Sequence, residues 1–137
     1  MNSKSIRWKQ RFQNFQKAFL FLESACQQDS YTELERSGVI KSFEFTFELA
    51  WKTLKDYLES QGIEEKFPRS IIKTSFQNDI ITDGHTWIEM LDKRNELTHT
   101  YDKQDSIKAV ELITTRYYLA IKQVYNFLYQ LSNNEEE

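Results

Sequence analysis

Phe43-Glu44-Phe45-Thr46-Phe47-Glu48-Leu49-Ala50-Trp51 admits two readings. Alternation of Phe43, Phe45 and Phe47 with polar residues is the two-residue period of a strand. The run lies, however, inside a longer apolar pattern that continues through Leu54, Tyr57 and Leu58 at three- and four-residue steps, with no turn residues beside it. The longer period predicts a helix. Such a helix is apolar on nearly every side, so it is either central to its domain or shared with a second copy of the chain. Glu44 and Glu48 stand four apart on one face of it. Either can neutralise a cation brought by another helix, and either can equally pair at the surface with Lys41 or Lys52.

Working outward, Thr32-Glu33-Leu34-Glu35 is a capping-box pattern, and Gly62 is suited to a left-handed end after about Ser60. Upstream, Trp8, Phe12, Phe15, Phe19, Leu22 and Cys26 repeat at helical steps and predict a first helix from about Ser5 to Gln27. The basic residues near its start, Lys4, Arg7, Lys9 and Arg11, fit a solvated face better than a phosphate site. Downstream, Pro68 opens a short helix to about Phe76, with Ile71, Ile72 and Phe76 expected inward. Asp83-Gly84 precedes a helix from His85 to Thr98, in which Trp87 is expected in the core, as is Trp51 in the helix before. Asp105-Ser106 is expected to cap the last helix, where Val110, Ile113, Tyr117, Ile121, Val124, Leu128 and Leu131 repeat. The prediction is one all-α domain over residues 1–131, an up-and-down bundle of four long helices and one short, with a frayed acidic tail over 132–137.

Composition agrees with this and narrows function. A chain of 137 residues with 39% hydrophobic and 15% aromatic content forms a substantial single core, and three Gly and one Pro leave few turns for a β-sandwich. The formal charge of −3 supplies no global basic footprint for nucleic acid, so such a partner needs a local cleft. The single Cys26 excludes an intramolecular disulfide framework and fits a reducing cytoplasm. No signal core or membrane-length apolar run is present, and the expectation is a soluble cytoplasmic protein. His85 and His99 are far apart and no Cys or carboxylate set has ligand spacing, so neither metal nor cofactor is expected.

The chemistry concentrates in Leu91-Asp92-Lys93-Arg94-Asn95-Glu96-Leu97-Thr98-His99-Thr100-Tyr101. As a helix, Trp87, Leu91, Arg94, Thr98 and Tyr101 form one stripe, and Arg94 stands in it where an apolar residue is expected. Its neighbours at three and four residues are Met90, Leu91, Leu97 and Thr98, so its anion must come from another helix or from a ligand. His99 lies about 140° around the axis from Arg94 on a regular helix, too far for both to touch one phosphate. Either the helix ends through Thr98-His99-Thr100, or a second chain completes the site. An Arg fork and a proton-moving His suffice for metal-independent RNA cleavage, in which a ribose 2′-hydroxyl attacks the adjacent phosphorus.

Arg94-Asn95 followed by His99 and Tyr101 resembles the Arg-x4-His-x-Tyr signature of the HEPN superfamily. The blocks Phe43 to Leu58, Phe67-Pro68-Arg69-Ser70-Ile71-Ile72 and Trp87-Ile88-Glu89-Met90-Leu91 are similar to its branch of nucleotidyltransferase substrate-binding proteins. The similarity spans about Trp8 to Leu128. This resemblance implies a homodimer and a separately encoded minimal nucleotidyltransferase as partner. Within the family, one role is a substrate- or nucleotide-binding subunit, with the ligand in a dimer cleft near Arg94 and His99. The alternative is a ribonuclease toxin of a toxin–antitoxin pair, using Arg94, Asn95 and His99 from two protomers and silenced when AMP is attached to Tyr101. A non-catalytic dimeric scaffold is the third.

Overall fold

The protein is described by a computed structural model that covers residues 2–97, 99 and 102–134. It is all-helical: α1 spans Ser3–Ala25, α2 Glu33–Ser60, α3 Pro68–Gln77, α4 Gly84–Leu97, α5 Lys103–Leu112 and α6 Tyr118–Asn134. A π-helical turn, Ile113–Tyr117, joins α5 to α6 without a break, so the described residues build five helical rods.

The helical reading of Phe43–Trp51 is resolved by where the three Phe rings go. Phe43 and Phe47, four apart, are fully buried, whereas Phe45 between them is 61% exposed. A strand would place all three on one side. Phe43 stacks on Tyr117 with centroids 5.4 Å apart, and Phe47 meets Trp87 at 5.7 Å, so α2 joins α4 to the last rod. From the other side α1 contributes Trp8, Phe12, Phe15, Phe19 and Leu22, and Phe19 stacks on Tyr125 at 4.4 Å. The basic start of α1 is engaged by carboxylates of α2: Arg11 Nε donates to buried Asp56, and Arg7 lies 3.5 Å from Glu59.

Local chemistry sets most boundaries. Thr32 and Glu35 form the reciprocal capping box. At the other end of α2, Ile63 N–H donates to Leu58 O at 2.9 Å and Gly62 to Glu59 O at 3.0 Å, with Gly62 at φ +84°. The same closure ends α3, where Ile80 N–H reaches Ser75 O at 2.9 Å, but here Asp79 occupies the left-handed position at φ +62°. A Cβ is strained there and glycine is not. Asp79→Gly should therefore raise stability by about 0.5 kcal/mol, part of the strain relief being offset by the freer unfolded chain. Urea unfolding checks this, and a lower midpoint would show that the Asp79 side chain holds the turn.

Four expectations require correction. The first helix runs from Ser3 to Ala25 because Asn2 caps it, accepting from Ser5 N–H at 2.9 Å, and Cys26 is the C-cap. The last rod starts at Lys103, not at Asp105-Ser106: Asp102 Oδ1 accepts from Asp105 N–H at 2.9 Å, so the acceptor three residues upstream is the cap. Ser106 is instead buried, accepting from Arg36 Nε at 2.9 Å. Phe76 is 50% exposed rather than inward. Its ring lies so close over Gly84 that a Cβ there would come within 2.9 Å, while small Ser75 fills the inward position. Trp51 is only half-buried, because its indole N–H is turned to Glu48.

Candidate functional site

Helix α4 places Trp87, Met90 and Leu97 in the core and brings Arg94 to its last turn. Arg94 leaves the apolar stripe sideways: Nη1 donates to Glu48 Oε1 of α2 at 2.5 Å. The other oxygen of that carboxylate accepts from Trp51 Nε1 at 3.0 Å. Glu48 thus aims two groups at once, one charged and one neutral. The pair is half-buried, with 25% of the Arg94 side chain and 34% of the Glu48 side chain exposed. Glu44 is placed differently, with Oε2 3.8 Å from Lys41 Nζ on its own helix. Tyr101, Thr98 and Thr100 lie outside the described residues.

His99 is exposed and lies in a turn beyond the end of α4, its backbone N–H donating to Glu96 O at 3.1 Å. It lines a groove of about 300 Å³ between the end of α4 and α5, whose walls carry Lys93, Glu96, Asp105 and Lys108. Arg94 is not among the described lining residues. Within one chain, then, the guanidinium pairs with α2, while His99 lines the groove between the end of α4 and α5. Among the described residues, the cations that line this groove with His99 are Lys93 and Lys108. Asn95 is exposed beside Arg94.

A second polar cluster sits on the neighbouring face of α4. Tyr117 O–H donates to Glu89 Oε2 at 2.6 Å, and Arg116 Nη1 donates to the same oxygen at 3.0 Å. Arg116 Nη2 also reaches Thr86 Oγ1 at 3.2 Å. The Tyr117 hydrogen bond, outweighing burial and aided by Arg116, holds the Glu89 carboxyl below the ordinary carboxylate range. Burial, then the bond to Glu89, pushes the Tyr117 phenol up. The π-helical turn presents Arg116 and Tyr117, adjacent in sequence, to the same carboxylate. Within it, the Thr114 and Thr115 hydroxyls both donate to Glu111 O, at 3.3 and 2.6 Å.

Lys108 and the Glu89–Tyr117 pair were not singled out by sequence reasoning. The lysine lies on exposed helical surface, where it looks like any solvated charge. Tyr117 was legible as core, but no pattern announces that its hydroxyl meets a carboxylate. Burial pushes the Cys26 thiol up to about 11, which removes it as a nucleophile near neutrality. Among the described residues no group of three or more His, Cys, Asp or Glu is arranged to hold a metal, and no helix is long and apolar enough to cross a membrane.

Residues 10–130 match the family model described as nucleotidyltransferase substrate binding protein like. A relative from Haemophilus influenzae, Probable ribonuclease HepT, is 29% identical over 76 residues, which is 52% of either chain. The match thus spans about half the length of that relative. A crystal structure of a protein from Thermus thermophilus is similar with a TM-score of 0.75 and 26% identity, covering 82% of this chain and 96% of that one.

Proposed function

Because the chain belongs to the nucleotidyltransferase substrate binding protein like family, we propose that it is a ligand-holding subunit acting with a separately encoded nucleotidyltransferase. The observation that carries this reading is the groove in which His99 lies with Lys93 and Lys108. Two ammonium groups and an imidazole at one opening suit the phosphates of a nucleotide, and Glu96 and Asp105 in the same walls accept hydrogen bonds from sugar or base. Lysine serves here as a point charge, so binding is salt-dependent and selective for charge more than for shape.

A second reading, metal-independent RNA cleavage, is favoured by the relative described as a probable ribonuclease and by Arg94 and His99 themselves. In that reaction the 2′-oxygen bonds to phosphorus as the bond to the 5′-oxygen breaks. His99 helps move the proton from the former to the latter, and Arg94 steadies the extra negative charge. Arg94 pairs with Glu48 and is not among the described residues of the His99 groove, so this reading takes the site from a homodimer in which one protomer's Arg94 meets its partner's His99 across a shared cleft. In this reading AMP attached to Tyr101 silences the ribonuclease.

The test separates them. The chain is expressed alone in bacteria beside His99→Ala, with growth and RNA integrity followed, and purified chain is titrated with ATP. The expected result is harmless expression of both and saturable ATP binding that weakens about tenfold in Lys108→Ala, as loss of one phosphate contact does. Growth arrest with RNA cleavage in the wild type alone would instead establish the ribonuclease. ATP binding unchanged by Lys108→Ala would remove the groove as the ligand site.

A further inference from the structure

Away from His99, a groove of about 490 Å³ runs between α1 and α2, floored by Ala18 and Gly38, walled by Phe21 and Phe45, and edged by Lys17 and Lys41. Its walls are unusual for a surface: Phe21 is 69% and Phe45 61% exposed. Its floor is unusual for a helix. Gly38 lies within α2, is not in the left-handed region, and a Cβ added to it would meet nothing within 4 Å. Neither backbone geometry nor packing inside the chain asks for glycine there, although glycine weakens a helix relative to alanine. The hollow therefore fits something from outside.

Charge narrows what that is. Lys17 and Lys41 are exposed at the edges, and Glu44 approaches Lys41 only to a loose 3.8 Å, with the lysine side chain 82% exposed. A second copy docked symmetrically on this patch would bring both lysine pairs together, which opposes self-association. A channel between two helices with a small-residue floor lets a third helix approach closely and set its anchors at i, i+4 and i+7. We propose that this groove docks an amphipathic helix of a partner protein, seating an apolar side chain over Gly38 between Phe21 and Phe45 and placing Asp or Glu against Lys17 and Lys41.

The full-length chain is titrated with two synthetic helical peptides that share one leucine stripe, one flanked by Glu and the other by Lys, and amide signals are followed by NMR. The Glu peptide should bind saturably and move the Gly38 and Ala18 signals, and the Lys peptide should bind about tenfold or more weakly. A Lys17→Glu, Lys41→Glu double variant should reverse that preference. Gly38→Leu should lose the Glu peptide while its thermal melt shows the fold retained. Equal binding of both peptides, shifts elsewhere only, or no binding would overturn the proposal. So would a dimer seen by sedimentation that Phe45→Asp dissociates, since it would give the groove to a second copy.

Discussion

Phe47→Ala should destabilise the chain by about 3–5 kcal/mol, the range for removing a fully buried aromatic ring and leaving a cavity behind. Phe47 has no exposed surface and bridges two partners, Phe43 at 6.1 Å on its own helix and Trp87 at 5.7 Å on α4. The void would open between α2 and α4. Against a total stability of about 5–15 kcal/mol for a domain, such a loss leaves the variant marginal. Phe45→Ala is the internal control: the same substitution two residues earlier, at a ring 61% exposed, should stay within about 0.5 kcal/mol. Urea denaturation of both variants decides. Similar costs at the two positions, or a cost below about 1 kcal/mol at Phe47, would refute the register of α2.

If the chain cleaves RNA, Arg94→Ala should lower that cleavage by about 10²-fold, the loss typical of one charge-stabilising group, while costing only about 1 kcal/mol of stability and leaving ATP binding in the His99 groove unchanged. The small stability term follows from exposure. The Arg94–Glu48 pair keeps 25% and 34% of its side chains in contact with solvent, so screening takes most of its Coulomb gain. Glu48→Gln sharpens the experiment. The amide oxygen can still accept from Trp51 Nε1, but the charge that aims the guanidinium is gone, so activity should fall further than stability. A stability loss above about 3 kcal/mol in Arg94→Ala with cleavage intact would make the pair purely structural.

The places where sequence and structure part company share a cause. Arg94 was legible as anomalous because a charge interrupts an apolar stripe, and the geometry attaches it to Glu48. Glu44, four residues away on the same helix, was an equal candidate by spacing and is turned to Lys41 instead. A difference of one helical turn on α2 decides between them, and that depends on how α4 is translated against α2. The last rod repeats the lesson. Its apolar period reads as continuous, but a π-helical turn over Ile113–Tyr117 carries Arg116 and Tyr117, both of which donate to Glu89.

By itself, the sequence determined what is local: five helical rods, the capping box at Thr32, the left-handed end at Gly62 and the inward faces marked by Trp8, Phe47, Trp87 and Ile121. Helical period, caps and turn residues act over three to seven positions and are written directly in residue order. The tertiary structure alone decided that Arg94 pairs with α2, that His99 shares a groove with Lys93 and Lys108, and that Phe21 and Phe45 wall an open groove. Those pairings depend on the rotation and stagger of one helix against another, set by packing of the whole core, and no short-range spacing encodes them.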